Sequence, residues 1–78
     1  MFKDRVLKVM SQVMNVPLDK LNEHSSYENV EQWDSLQHMN LVLALEEEFK
    51  MKFTDEEIIQ ITDVGKIIEA LGRNGVED

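Results

Sequence analysis

Apolar residues recur at helical spacing in four stretches of this chain, and no stretch shows the strict alternation of apolar and polar residues that is typical of a half-buried strand. At about 100° per residue, the apolar positions of each stretch collect on one side of a helix. The predicted helices cover residues 2–14, 35–49, 55–60 and 64–71, followed by a frayed tail over 74–78. The pattern predicts an all-α four-helix bundle, a single domain over 1–78, with a long first loop and a short third helix.

The second predicted helix carries more apolar positions than one buried face requires. A surface helix of a globular protein usually shows a narrower apolar stripe. Placed at about 100° per residue, the apolar residues of this helix cover more than half of its circumference. They are Leu36, Met39, Leu41, Val42, Leu43, Leu45 and Phe49. This width predicts that other parts of the chain pack against the second helix on more than one side.

A long connection, residues 16–33, separates the first two helices. Asn15 and Pro17 end the first helix, because the residue before a proline is driven out of the helical conformation. Apolar residues spaced along the connection are expected to pin it over the bundle. Trp33 is expected to pack at the entrance of the second helix, and its place beside Ser35 leaves a contact with a partner or cargo as the alternative.

The third helix is only about two turns long, so its stability depends on packing. Thr54 caps it, and Asp55, Glu56 and Glu57 occupy its first turn, where the helix dipole favours acids. We expect this helix to be the most mobile element of the fold.

Length and composition narrow the class of protein. A chain of 78 residues forms one domain with a marginal core, and the absence of cysteine excludes disulfides and cysteine-based metal sites. The longest apolar run, 41–45, is far shorter than the ~20 residues of a membrane-spanning helix. These features predict a soluble, monomeric, cytoplasmic protein without a membrane span.

Acidic residues dominate the charge and are unevenly placed. The net charge is -8, and residues 28–57 hold nine acids against Lys50 and Lys52, a net of -7. Nucleic acids and anionic membranes would repel such a surface. The charge therefore predicts partners with basic surfaces and no nucleic acid, although a solvated face without a partner has the same pattern.

The start of the second helix is where chemistry is expected. Asp34 and Ser35 are both good capping residues, and Asp34 with Gln37 three positions later fits a capping box. A helix start also favours a phosphate, because its free N–H groups and the positive end of its dipole face outwards. The spacing alone leaves both readings of Ser35 open, a cap or an attachment point.

No catalytic or metal-binding pattern stands out, and we predict neither catalytic residues nor a metal site. His24 and His38 lack the spacing of a metal motif. Ser35, His38 and a glutamate can be written as a hydrolase triad, but nothing in the sequence supplies an oxyanion hole or a substrate cleft. A small hydrolase that uses Ser35 is therefore the weakest of the alternatives.

Taken together, these features resemble the acyl carrier protein family. The resemblance covers residues 2–71 and rests on Asp34-Ser35-Leu36 at the start of the second helix, on the run 41–49 that completes it, and on the short acidic third helix. It implies a 4′-phosphopantetheine arm on Ser35, with Asp34 and Leu36 as the rest of the motif. It also implies a phosphopantetheinyl transferase and enzymes that load and transfer acyl or aminoacyl groups as partners. The partner-facing positions implied by similarity are Leu36, Met39, Leu43, Glu46, Glu47, Asp55, Glu56 and Glu57.

Four positions depart from carriers of the housekeeping fatty-acid type. Gln37 and Asn40 stand where those carriers usually have acids, His38 is unusual, and Trp33 replaces a small glycine. We therefore expect a discrete carrier of a specialised lipid, polysaccharide or secondary-metabolite pathway. An aminoacyl or peptidyl carrier of the same fold, or an acidic interaction module that is never modified, are the alternatives.

Overall fold

The computed structural model describes residues 2–76. Four α-helices occur in the order α1 (Phe2–Met14), α2 (Ser35–Phe49), α3 (Asp55–Gln60) and α4 (Val64–Arg73), with a 3₁₀ turn at Leu18–Lys20 between the first two. Within the described residues the chain forms no strand, and one isolated bridge pairs Ser26 with Asp63. The predicted all-α four-helix bundle with a long first loop and a short third helix is confirmed.

The core forms around α1, which packs against both α2 and α4. The side chains at the centre of the core are fully buried, because each of these helices turns one apolar stripe inwards. The fully buried residues with the largest side chains include Trp33, Met10, Leu41, Leu45, Ile61, Ile67 and Leu71. On the outside, the Arg5 guanidinium lies 3.0 Å from the Glu48 carboxylate and links α1 to the end of α2.

The prediction that α2 is packed on more than one side is wrong. Its buried residues are Leu41, Val42, Leu45 and Phe49, which fall within an arc of about 100°. The other apolar residues, Leu36, Met39 and Leu43, are 72%, 45% and 60% exposed. The wide apolar band therefore consists of one buried stripe and one exposed stripe that lie on different sides of the helix.

The long connection is held against the bundle by apolar anchors and by backbone pairing. Val16, Leu21, Val30 and Trp33 are buried. The Tyr27 N–H donates to the Thr62 carbonyl at 2.8 Å, and the Val64 N–H donates to the Ser25 carbonyl at 3.1 Å. These two bonds fix the middle of the loop to the segment that joins α3 to α4.

The short helix α3 buries none of its residues, yet its first turn is tied down. At its start, Thr54 and Glu57 form a complete capping box. The Glu57 carboxylate also accepts from the Asn74 amide at 3.1 Å and lies 3.7 Å from Arg73. Glu57 thus joins α3 to the end of α4.

The helix α4 ends at Arg73, two residues beyond the predicted end, because Gly72 remains helical. Residues 74–76 of the predicted frayed tail lie against the end of α4 and the core. The Asn74 side chain donates to the Ala70 carbonyl at 2.8 Å, and Val76 packs against the core after a turn in which Gly75 has φ of 76°. Positions 77 and 78 of the predicted tail lie outside the described residues.

Candidate functional site

Ser35 is the first residue of α2, and Asp34 before it is the residue that caps the helix. The Asp34 backbone is extended, and its carboxylate accepts a hydrogen bond from the Gln37 N–H at 2.9 Å. The return bond of the predicted capping box is replaced by another contact, since the Gln37 side-chain oxygen accepts from Asn40 at 3.0 Å. Because Asp34 performs the capping, the Ser35 hydroxyl is free for another role.

The Ser35 side chain is exposed and meets one polar neighbour among residues 2–76. The Tyr27 hydroxyl oxygen lies 3.3 Å from Ser35 Oγ. Tyr27 belongs to the long connection, so the fold brings together two hydroxyl groups that lie eight positions apart in the sequence.

Trp33 and His38 form a hydrogen-bonded pair next to Ser35. Their rings are 6.1 Å apart between centroids and inclined by 18°. The indole N–H of Trp33 donates to His38 Nδ1 at 3.0 Å, and His38 Nε2 lies 2.7 Å from the Ile58 carbonyl oxygen. Since Nδ1 accepts, the proton of the neutral ring is on Nε2, and Nε2–H donates to Ile58. This chain of two bonds ties α3 to the start of α2.

This arrangement argues against the hydrolase alternative. Both nitrogens of His38 are occupied, one by Trp33 and the other by Ile58, so neither is placed to take a proton from Ser35.

Trp33 is 2% exposed and packs at the entrance of α2, which is incompatible with the alternative of a direct contact with partner or cargo. Across residues 2–76, histidines and acids form no group of three or more that could hold a metal ion.

An open groove of about 360 Å³ begins at Ser35 and runs between α2 and α3. Its size is within the range of small-molecule sites. Most of its surface is apolar, and no lysine or arginine contributes to its lining within the described chain. The lining residues are Tyr27, Ser35, His38, Met39, Ile58, Ile59 and Thr62.

The predicted partner-facing residues separate into two groups. Leu36, Met39 and Leu43 form an exposed apolar stripe, and the side chains of Glu47, Asp55 and Glu56 are also exposed. The other two acids are largely covered and bonded within the chain. The Glu46 carboxylate, 12% exposed, accepts from the Phe53 N–H at 2.9 Å, and Glu57 is held by Thr54 and Asn74.

Three residues at the site lie outside the motif. Tyr27, in the long connection, is 40% exposed and faces Ser35. Ile59 is 76% exposed at the rim of the groove, and Ile58 contributes its backbone carbonyl. The Tyr27 side chain in a loop and the Ile58 backbone oxygen leave no spacing signal in the sequence.

The fold and the site define a class of small helical proteins with an exposed serine at the start of a helix, and comparison with known proteins agrees. Residues 4–71 match the family model described as phosphopantetheine attachment site. The acyl carrier protein of Buchnera aphidicola subsp. Schizaphis graminum is 29% identical over 65 residues, which cover 83% of this chain and 82% of the relative.

A solved structure agrees as well. The solution structure of holo acyl carrier protein from Geobacter metallireducens matches with a TM-score of 0.80 and 30% identity, over 91% of this chain and 82% of that one. The chain belongs to the acyl carrier protein family, as its motif and helix pattern predicted.

The prosthetic group of this family is 4′-phosphopantetheine, and the prediction of that cofactor is confirmed. The site at the start of α2 fits such a group. The Ser35 hydroxyl is exposed, it is not used as a cap, and an open groove adjoins it. The first turn of a helix also leaves backbone N–H groups that suit a phosphate. In the part of the chain that the structure describes, no helix is long and apolar enough to cross a membrane.

Proposed function

We propose that this chain holds acyl intermediates as thioesters on a 4′-phosphopantetheine arm attached to Ser35, and presents them to partner enzymes without catalysing a reaction itself. The observation that carries the proposal is the state of the Ser35 hydroxyl. It is exposed at the start of α2, Asp34 performs the capping, and His38 is bonded elsewhere. A serine hydroxyl in this state is accessible to a modifying enzyme, and its modification leaves the cap of α2 intact.

The chemistry of such a carrier is divided between arm and protein. The arm supplies a thiol, which the chain lacks because it has no cysteine. The protein supplies the attachment oxygen, and the positive end of the α2 dipole stabilises the phosphate of the linkage by about 0.3 to 1 kcal/mol. This contribution offsets part of the repulsion from a chain whose net charge is -8.

We propose that partners dock on the exposed side of α2 and on α3. Leu36, Met39 and Leu43 supply apolar contacts beside the arm, and Ile59 extends them across the groove. The surrounding charges come from Glu47, Asp55 and Glu56. Exposed charges of this kind mainly speed the encounter with a basic partner, which suits a carrier that must be released by one enzyme and captured by the next. We leave Glu46 and Glu57 out of the docking surface because their carboxylates are bonded within the chain.

The pathway is proposed from the residues around the arm. Gln37 and Asn40 bond to each other on the first turns of α2, so this part of the docking surface is neutral. Trp33 and His38 are built into the site as a hydrogen-bonded pair. This arrangement supports a specialised acyl pathway in the cytoplasm, whose enzymes meet less negative charge near the arm. An aminoacyl or peptidyl carrier shares all of these features.

The first experiment measures attachment directly. The protein is incubated with coenzyme A and a broad-specificity phosphopantetheinyl transferase, and its intact mass is recorded. Wild type is expected to gain one phosphopantetheine, whereas Ser35→Ala gains none. Absence of a gain by folded wild type, while a known carrier is modified in parallel, would refute the carrier proposal and favour the unmodified interaction module.

A second experiment tests the docking surface with the transferase as the partner. Glu47→Gln/Glu56→Gln is compared with a control double variant of equal charge, Asp19→Asn/Glu23→Asn, whose acids lie in the long connection. The first variant is expected to lower kcat/KM for modification several-fold at low salt, with the difference shrinking at high salt. Equal effects of both variants would show that net charge, and not this surface, governs recognition.

A further inference from the structure

The Tyr27 hydroxyl contacts the atom that would carry the arm, and Tyr27 lies outside the motif. Its hydroxyl oxygen is 3.3 Å from Ser35 Oγ, a distance at which either oxygen can donate to the other. The residue comes from the long connection, so its position depends on the fold and not on the local sequence of α2. This contact raises the question of what the tyrosine does after Ser35 has been modified.

The tyrosine is held in place from three directions. Its backbone N–H donates to the Thr62 carbonyl at 2.8 Å. Its ring meets the rings of Trp33 and His38 edge-on, each at 6.4 Å between centroids. Those two residues are fixed by their own hydrogen bonds. The hydroxyl is therefore ordered before any ligand arrives, so a bond formed by it costs little conformational entropy.

Modification of Ser35 changes which group can donate. In the phosphodiester, Ser35 Oγ is an ester oxygen and has no proton, so the Tyr27 O–H is the remaining donor of the pair. The two non-bridging phosphate oxygens carry the negative charge, and hydrogen bonds to such acceptors are shorter and stronger than those between neutral groups. The described residues that line the groove include no cation to compete for this phosphate.

We propose that Tyr27 is a positioning residue for the arm, and that its hydroxyl donates a hydrogen bond to the phosphate on Ser35. This proposal rests on the proposed attachment at Ser35. A phosphate held on the Tyr27 side lies over the mouth of the groove between α2 and α3. The arm then leaves Ser35 along Met39 and Ile59 and not away from the protein.

The test uses protein that has been loaded to completion, as checked by intact mass. Wild type, Tyr27→Phe and the control Thr62→Val are compared by ³¹P NMR. Tyr27→Phe removes only the hydroxyl, and Thr62→Val removes another hydroxyl that lines the groove without a bond to Ser35. We expect the phosphodiester resonance to move by more than its linewidth in Tyr27→Phe and to stay in place in Thr62→Val. An unchanged resonance in Tyr27→Phe would overturn the proposal.

A second measurement keeps the Tyr27 hydroxyl in place. Tyr27 is the sole tyrosine of the chain, so incorporation of 3-fluorotyrosine gives one ¹⁹F signal beside the attachment atom. We expect this signal to shift when the unmodified protein is loaded, and an identical signal before and after loading would again overturn the proposal. Failure of wild type to gain the mass of phosphopantetheine is a different result, which refutes the attachment itself.

Discussion

The bonds from Trp33 through His38 to the Ile58 carbonyl should contribute measurably to stability. His38→Leu supplies an apolar side chain of moderate size but removes the acceptor of a buried indole N–H and the donor to Ile58. A buried donor without a partner costs about 1 to 3 kcal/mol, and the Ile58 carbonyl loses its donor as well. Leucine regains part of this by burial. The expected net loss is about 2 kcal/mol.

A loss of this size is large for a domain of 78 residues, whose total stability is about 4 to 12 kcal/mol by the usual scaling with length. In urea, with a slope of about 1 to 2 kcal/mol per molar, the unfolding midpoint should fall by about 1 to 2 M. The measurement is equilibrium unfolding of unmodified protein, which separates the effect on the fold from any effect on loading. Amides of α3 should also exchange faster in His38→Leu, because the bond to Ile58 holds this helix to α2.

A double-mutant cycle isolates the bond itself. Trp33→Phe removes the indole N–H, and combined with His38→Leu it leaves neither polar group without a partner. The double variant should therefore lose less than the sum of the single losses, by about 1 kcal/mol. The reasoning would be refuted if His38→Leu cost less than about 0.5 kcal/mol, or if the two single losses were additive.

Three further predictions concern the caps and the charges. Asp34→Ala should cost about 1 kcal/mol in urea unfolding, because it removes the cap of α2, and Ser35→Ala should cost less than about 0.5 kcal/mol; equal losses would contradict this division of roles. Hydrogen bonds from the Thr54 backbone and from Asn74 lower the pKa of Glu57 from its ordinary value of 4.5. The deprotonated carboxylate therefore stabilises the fold above that pH, and the advantage of wild type over Glu57→Gln should shrink as the pH falls below about 4.5; a difference that does not change with pH would contradict the assignment. Lys50 ends α2 with φ of 53°, so Lys50→Gly should leave the melting temperature unchanged or raise it, and a clear fall would count against strain at this position.

The helices and the attachment motif were accessible from the sequence because the signals for them are local. Hydrophobic spacing and the caps at Asp34 and Thr54 depend on residues within one or two turns. The end of α4 was placed too early, since Gly72 is a common stop signal that the bond from Asn74 to the Ala70 carbonyl overrides. The same bond and the packing of Val76 hold residues 74–76 against the end of α4.

The roles of individual acids could not be read from their positions. Glu46 and Glu47 are neighbours on α2, yet the first bonds to the Phe53 N–H and the second is exposed. Which acid turns towards the protein depends on the path of the following loop, and a hydrophobic pattern contains no information about that path.

By itself, the sequence determined the four helices, the family and the serine at the start of α2, because short-range preferences and a compact motif specify all three. Tertiary structure decided the surroundings of that serine. It brought Tyr27 within 3.3 Å of Ser35, turned the surplus apolar residues of α2 outwards, and used His38 to tie α3 to α2. Each of these features joins groups that lie on different elements or uses a backbone oxygen. The physical reason is that such contacts are set by how the elements pack, which local spacing does not encode.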